Sequence, residues 1–182
     1  MSDTLDPPVA SERIFDGEVL SVRVSHYRRP SGIVVRREVT DHPGAVMIIP
    51  VEGTRVLLVR QPREAVERRM LELPAGKLDV PGEPPLACAK RELAEEVGRG
   101  ANQWEDLGGF YVAPAISTEF IHCFLAEDLY PVETPPVEDE EIEVVPVELH
   151  DLDRTIAAVS DAKTLIGLMR LASRRRPVSG PV

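Results

Sequence analysis

One helix interrupts a chain whose first half otherwise reads as strand, and both ends of that helix are written in the sequence. "PPLACAKRELAEEVG", residues 84–98, carries helical spacing through Leu86, Ala89, Leu93 and Val97. Pro84 and Pro85 suit a first helical turn, where the missing N–H is no loss, and Gly98 suits a C-cap. Before it, "EVLSVRVSHYRRPSGIVVRREVTDH" alternates apolar and polar residues on both sides of Pro30-Ser31-Gly32, the pattern of a hairpin. "AVMIIPVE" and "RVLLVRQ" form a second strand pair parted by Gly53-Thr54, and "LELPAGKLDVPGE" breaks regularity just ahead of the helix. Three further strands follow in "WEDLGGFYVAP", "EFIHCFLAEDL" and "IEVVPVEL". "DRTIAAVSDAKTLIGLMRLASRRR" reads as one or two helices, amphipathic at Leu165, Leu168, Met169 and Ala172, with a basic end that suits a helix C-terminus. Repeated βαβ units cannot be made from this order. It specifies an α+β fold, a mixed sheet with one central and one terminal helix.

At 182 residues and 20.1 kDa the chain is long enough for one substantial core. A net charge of −10, from 31 acidic against 21 basic residues, repels nucleic acid and anionic membranes, so neither is expected as a partner. "MSDTLDPPVASERIF" lacks a basic n-region followed by an apolar stretch, and no apolar run approaches the roughly 18 residues of a membrane span, so the chain reads as cytoplasmic. Cys88 and Cys123 have neither metal-ligand nor disulfide spacing and are expected to be buried free thiols. The histidines, His26, His42, His122 and His150, are scattered and receive no chemistry. Residues 1–11 are expected to form a flexible arm and 177–182 a disordered tail.

The helix also carries the chemistry. In "RELAEEVG", Glu92, Glu95 and Glu96 stand at i, i+3 and i+4, on one side of the helix. Like charges so spaced destabilise a helix by roughly 0.2–0.5 kcal/mol per pair, which a merely solvated acidic face tolerates. Two features argue for more than a wet face. The acids gather in the last turn, where the macrodipole disfavours them, and the preceding segment is an irregular Gly-Pro loop. A divalent cation removes the repulsion, and an all-oxygen donor set suits Mg²⁺ or Mn²⁺ with a phosphorylated substrate.

"GKLDVPGEPPLACAKRELAEEVG" resembles the Nudix box: Gly, five residues, Glu, seven residues, then Arg-Glu-apolar-x-Glu-Glu-x-Gly and an apolar residue. Gly76, Glu83, Arg91, Glu92, Leu93, Glu95, Glu96 and Gly98 occupy it. Here six residues separate Gly76 from Glu83, with Pro81-Gly82 as the place to absorb the extra one, and Arg99 stands at the closing apolar position. The resemblance implies a Nudix-type α/β/α sandwich with a mixed central sheet over 44–176, plus an N-terminal antiparallel β-strand subdomain over 12–43. It implies metal ligation by Glu92, Glu95, Glu96 and the Ala75 carbonyl, with Arg91 orienting the glutamates.

The flanks are similar to the ADP-ribose pyrophosphatase branch. "LLVRQPREAVERRMLELPAGKLD", "VVRREVTDHPGAV", "FYVAPAISTE" and "DAKTLIGL" carry that similarity over about residues 13–172. It implies Mg²⁺-dependent hydrolysis of ADP-ribose to AMP and ribose 5-phosphate by a homodimer that exchanges N-terminal strands. Arg37 is either an exposed strand residue or a grip on adenosine, Phe15 either core or a stacking partner, and Pro114 either a strand end or part of the substrate site. Arg63 is either plain surface or, its fork being suited to a phosphate or ribose edge, a substrate contact, and Glu72 is placed with it in the substrate site. In "EDEEIEV", either a solvated charge run or the place of the branch's loop glutamate, Glu140 first and Glu138 second are expected to act as base or to position the attacking water. Alternatives are another nucleoside diphosphate derivative, such as a nucleotide sugar or NADH, and a sensor that binds ADP-ribose without cleaving it.

Overall fold

The structure, a computed structural model, describes residues 6–133 and 141–175. These fall into two compact units: the residues up to Gly44 together with Tyr111–Phe120, and Ala45–Phe110 together with the residues from Ile121 onward.

The first unit is a three-stranded antiparallel sheet in the order β1 (Ala10–Asp16), β2 (Ser21–Arg28), β3 (Val34–Asp41). The β2–β3 turn falls at the expected Pro30-Ser31-Gly32, with Gly32 at φ +85° and the Arg29 amide bonded to the Ile33 carbonyl. β1 opens at Ala10, inside the segment read as an arm, because its backbone pairs with β2 from Ala10↔His26 onward. "ASERIFD" alternates too weakly to announce a strand. Backbone pairing decides it. Among the unit's described residues only Val24 joins the buried apolar set, while Ile14, Phe15 and Val34 stay exposed.

In the second unit a mixed sheet runs β10 (Glu143–Glu148), β5 (Arg55–Arg63), β4 (Ala45–Glu52), β9 (Phe120–Pro131), β8 (Arg99–Tyr111), with β6 (Arg68–Glu72) beside β5 and β7 (Ala75–Lys77) beside β4. β4 and β9 are parallel; β4 and β5 are antiparallel. The irregular "LELPAG" stretch thus ends one short strand and begins another, recruited by pairing Glu72 with Val59 and Gly76 with Val46.

β4 explains the layering. Met47, Ile49 and Val51 enter one core with Val56, Leu58, Cys123 and Leu125, covered by Leu152 of α2 (Leu152–Ala158) and by Leu168 and Leu171 of α3 (Ala162–Arg175). Val46 and Ile48 enter the other, with Leu57, Val59 and Phe124, covered by Cys88, Ala89, Leu93 and Val97 of α1 (Pro85–Val97). A strand that alternates its side chains between two buried faces must be apolar throughout, which is why "AVMIIPV" shows no alternation. The result is the expected Nudix-type sandwich of helices on both faces of a mixed sheet.

Both cysteines are buried free thiols, as expected. The helix faces differ in detail from the sequence reading. Leu86 is exposed and Cys88 packs instead; α3 buries Thr164, Gly167, Leu168 and Leu171 while Met169 faces solvent. Gly167 sets that rotation, since a Cβ there would lie 2.3 Å from Leu73 Cδ1, so α3 lies directly against the sheet at this point. No helix among the described residues is long and apolar enough to cross a membrane.

Candidate active site

α1 begins behind Pro84 with Pro85 in its first turn and ends at Gly98, whose φ of +66° lets its N–H cap the Ala94 carbonyl. Its apolar side is fixed against β4, so the side bearing Glu92, Glu95 and Glu96 is presented at the sheet's end beside β7. Glu96 sits on the margin of the core at 8% exposure, and its Oε2 accepts from the Ala75 amide at 3.1 Å. At Gly76 a Cβ would fall 1.9 Å from Glu92 Cδ, so only glycine lets the β7 backbone approach that carboxylate so closely.

Arg91 gathers the rest. Its Nε and Nη2 donate to the two oxygens of Glu83 at 3.2 and 3.0 Å, and Nη1 donates to Glu92 at 2.8 Å and Glu95 at 3.0 Å. The guanidinium bond holds the Glu83 carboxyl below the usual carboxylate range, and the same bond raises the Arg91 pKa. The residue inserted ahead of Glu83 is absorbed by a turn: Pro81 leads, Gly82 takes φ +78°, and the Glu83 amide bonds to the Val80 carbonyl at 3.1 Å. Glu83 therefore lands on Arg91. Arg99, at the family's apolar position, is occupied by Glu52 at 2.9 Å. Cys88, beneath the guanidinium, is pushed up to about 12, by burial first and then by Glu92, and is chemically quiet.

A second cluster lies at Arg63 and Glu72. Arg63 donates Nε and Nη2 to the two Glu72 oxygens at 2.8 and 2.7 Å, and Lys163 donates to the same carboxylate. Burial pushes Glu72 up, but bonding and charge from Arg63 and Lys163 outweigh it, leaving the group below the ordinary carboxylate value. Bonding to Glu72 raises the Arg63 pKa, with Glu96 and Asp161 adding to the pull, so this cluster and the α1 glutamates share one electrostatic neighbourhood.

The structure thus brings Arg91, Glu92, Glu95, Glu96 and Ala75 together and places Arg63 with Glu72. Arg37, Phe15 and Pro114 belong to the first unit. Arg37 is exposed on β3, Phe15 exposed on β1, and Pro114 sits in a turn closed by Ile116 and Ser117 amides on the Ala113 carbonyl. Glu138 and Glu140 lie outside the described residues. The sequence alone assigns no role to Lys163 and Asp161, although both lie in "DAKTLIGL", one of the segments that carry the family similarity. Nor does it single out Gln61, which is buried with its Nε2 lacking a hydrogen-bond partner among the described residues.

The donor set suits a hard divalent ion: three carboxylates on one helix side, one of them fixed by a backbone amide, next to a glycine that leaves room for them. Among the described residues no three metal-ligating side chains already converge as a cation cage, because Arg91 draws Glu92 and Glu95 onto its own guanidinium.

A helix-flanked mixed sheet that carries such a glutamate helix beside a backbone turn is suited to holding a hard divalent ion against a phosphorylated ligand. Residues 41–166 match the NUDIX domain. The chain is 38% identical over 177 residues to the ADP-ribose pyrophosphatase of Bacillus subtilis (strain 168), covering 94% of this chain and 95% of that one. It is 35% identical over 161 residues to the GDP-mannose pyrophosphatase of Cronobacter sakazakii (strain ATCC BAA-894), covering 80% and 83%. A crystal structure of an ADP compounds hydrolase superposes with a TM-score of 0.83 at 25% identity, covering 95% of this chain and 96% of that one. The chain belongs to the Nudix family and is one of its diphosphatases. Enzymes of this family work with divalent metal ions.

Proposed function

We propose that this protein hydrolyses the diphosphate linkage of ADP-ribose to AMP and ribose 5-phosphate, with Mg²⁺ as its metal. The observation that carries the reading is the arrangement around α1, in which Glu96 is fixed by the Ala75 amide and Arg91 holds Glu83, Glu92 and Glu95. Glu92, Glu95, Glu96 and the Ala75 carbonyl would hold the metal, which would supply charge neutralisation at the phosphoryl oxygens and ease deprotonation of the attacking water. Arg91 orients Glu92 and Glu95. Arg63 meets a phosphate oxygen with the part of its guanidinium not committed to Glu72. Glu140, or else Glu138, takes the proton from the attacking water.

Arg37, Phe15 and Pro114 supply adenosine and ribose contacts, and two copies associate through the N-terminal sheet. Support for association comes from the apolar side chains that sheet leaves exposed, Phe15 at 56% among them. Light scattering at twice 20.1 kDa is the expected result. The similarity to a GDP-mannose pyrophosphatase favours one second reading, a nucleotide sugar as substrate.

The test is incubation with ADP-ribose and Mg²⁺, then with EDTA, resolving AMP and ribose 5-phosphate by chromatography. Release of both products only with metal is expected. Faster cleavage of GDP-mannose than of ADP-ribose would replace the substrate, and binding of ADP-ribose without cleavage would replace the reaction.

A further inference from the structure

The start of α3 is tied to the active site by a chain of charges that the proposed reaction does not use. Lys163 Nζ donates to Glu72 and, at 3.0 Å, to Asp161 Oδ2. That Asp161 oxygen also accepts from the Thr164 amide at 2.9 Å and from Thr164 Oγ1 at 2.6 Å, and Thr164 Oγ1 in turn accepts from the Leu73 amide at 2.8 Å. Glu72 is only 2% exposed at its side chain, whereas Arg63, its other partner, is 42% exposed. The segment these bonds hold is short. Leu73 is fixed by Thr164, the Pro74 carbonyl accepts from Ile48 at 2.8 Å, and the Ala75 amide reaches Glu96.

A carboxylate so deeply buried stays ionised and in place only if cations surround it. Arg63, one of those cations, lies partly in water, where its charge is screened. Lys163, itself held by Asp161, donates to the same carboxylate and is far more buried than Arg63, 15% against 42% exposed. With Glu72 immobile, the fork Nε and Nη2 of Arg63 has one geometry, and the third nitrogen, Nη1, points away from that fork.

We propose that Lys163 and Asp161 are positioning residues of the diphosphatase site: they fix the Glu72 carboxylate, and through it hold the Arg63 guanidinium where it meets the substrate's phosphate. This rests on the assignment of Arg63 to the substrate made above.

The experiment is a double-mutant cycle of Lys163→Met and Arg63→Ala, followed as kcat and KM on ADP-ribose with Mg²⁺. Lys163→Met alone is expected to lower kcat/KM about tenfold, mainly through KM, and to change it less than about twofold in the Arg63→Ala background. Lys163→Arg, which keeps the cation, is expected to recover most of the loss. Arg174→Ala, on the exposed end of the same helix, is expected to leave both constants unchanged. An equal loss on both backgrounds, or no loss from Lys163→Met alone, overturns the inference while leaving the reading of Arg63 intact. A silent Arg63→Ala removes that reading and the inference with it. If Lys163→Met does not fold, Asp161→Asn takes its place in the cycle, keeping an oxygen to cap Thr164 while releasing Lys163; additivity with Arg63→Ala overturns the inference there too.

Discussion

The two charge clusters beside this sheet are built from the same residue types and solve opposite problems. Around Arg91, one guanidinium faces Glu83, Glu92 and Glu95, with Glu96 bonded only a turn away to a backbone amide. Around Glu72, Arg63 and Lys163 face Glu72 and Asp161, two charges of each sign. The first is unbalanced and lies partly in water, with Arg91 30% exposed; the second is balanced and closes over a carboxylate almost out of water. An acidic excess that water can still screen is available to a divalent ion. A charge-balanced cluster around a buried carboxylate has no acidic excess to offer a cation and serves as a fixed frame. One region is left wanting a cation, and the other has already been given two.

Removing charge from the unbalanced cluster is expected to have the largest effect. Glu96→Gln keeps the shape and an oxygen for the Ala75 amide but deletes a metal-ligating charge, and turnover is expected to fall roughly a hundredfold or more with the circular dichroism unchanged. Near-native turnover in steady-state assays would take Glu96 out of the metal site. Next comes Gly76→Ala. The new Cβ overlaps Glu92, so that carboxylate must move, and a loss of about tenfold in kcat is expected with little change in melting temperature. An unchanged kcat would show that the Glu92 position is not critical.

The contrast between the clusters explains what the sequence could and could not say. The α1 site lies within one continuous motif, and a helix turns spacing into geometry, so Glu92, Glu95 and Glu96 could be placed on one side from their numbers alone. The extra residue before Glu83 was also soluble locally, since a Pro-Gly pair dictates its own turn. The Glu72 cluster joins residues up to 91 positions apart, and no local pattern says that Lys163 reaches Glu72 rather than water. Strands β6 and β7 were missed for a like reason: a five-residue and a three-residue strand exist only because β5 and β4 offer edges to pair with. The α3 face was misjudged by one position because Gly167, small enough to let the helix lie directly on Leu73, carries no hydrophobic signal of its own.

Arg91→Gln tests whether the first cluster is repulsive without its cation. Lost bonds to charged partners are expected to cost about 1–3 kcal/mol in urea unfolding at low ionic strength. Added Mg²⁺ is expected to return more stability to this variant than to the parent, by binding the folded state alone. Equal Mg²⁺ stabilisation of both would mean that the guanidinium and the ion do not neutralise the same carboxylates.

The smallest expected effect separates the clusters by acid. Glu72 and Glu83 both have folded-state pKa values lowered from the ordinary carboxylate value, so each contributes stability that is present above that value. On acidification the unfolded chain takes up protons first, and stability drains away as the pH falls through the folded-state values. Glu83 keeps some contact with water, which can replace part of what Arg91 gives it; Glu72 is all but sealed off and has less recourse. Urea midpoints between pH 6 and pH 3 should therefore flatten more in Glu72→Gln than in Glu83→Gln. Equal flattening would mean that burial, the property that most divides these two clusters, does not govern how tightly each holds its charge.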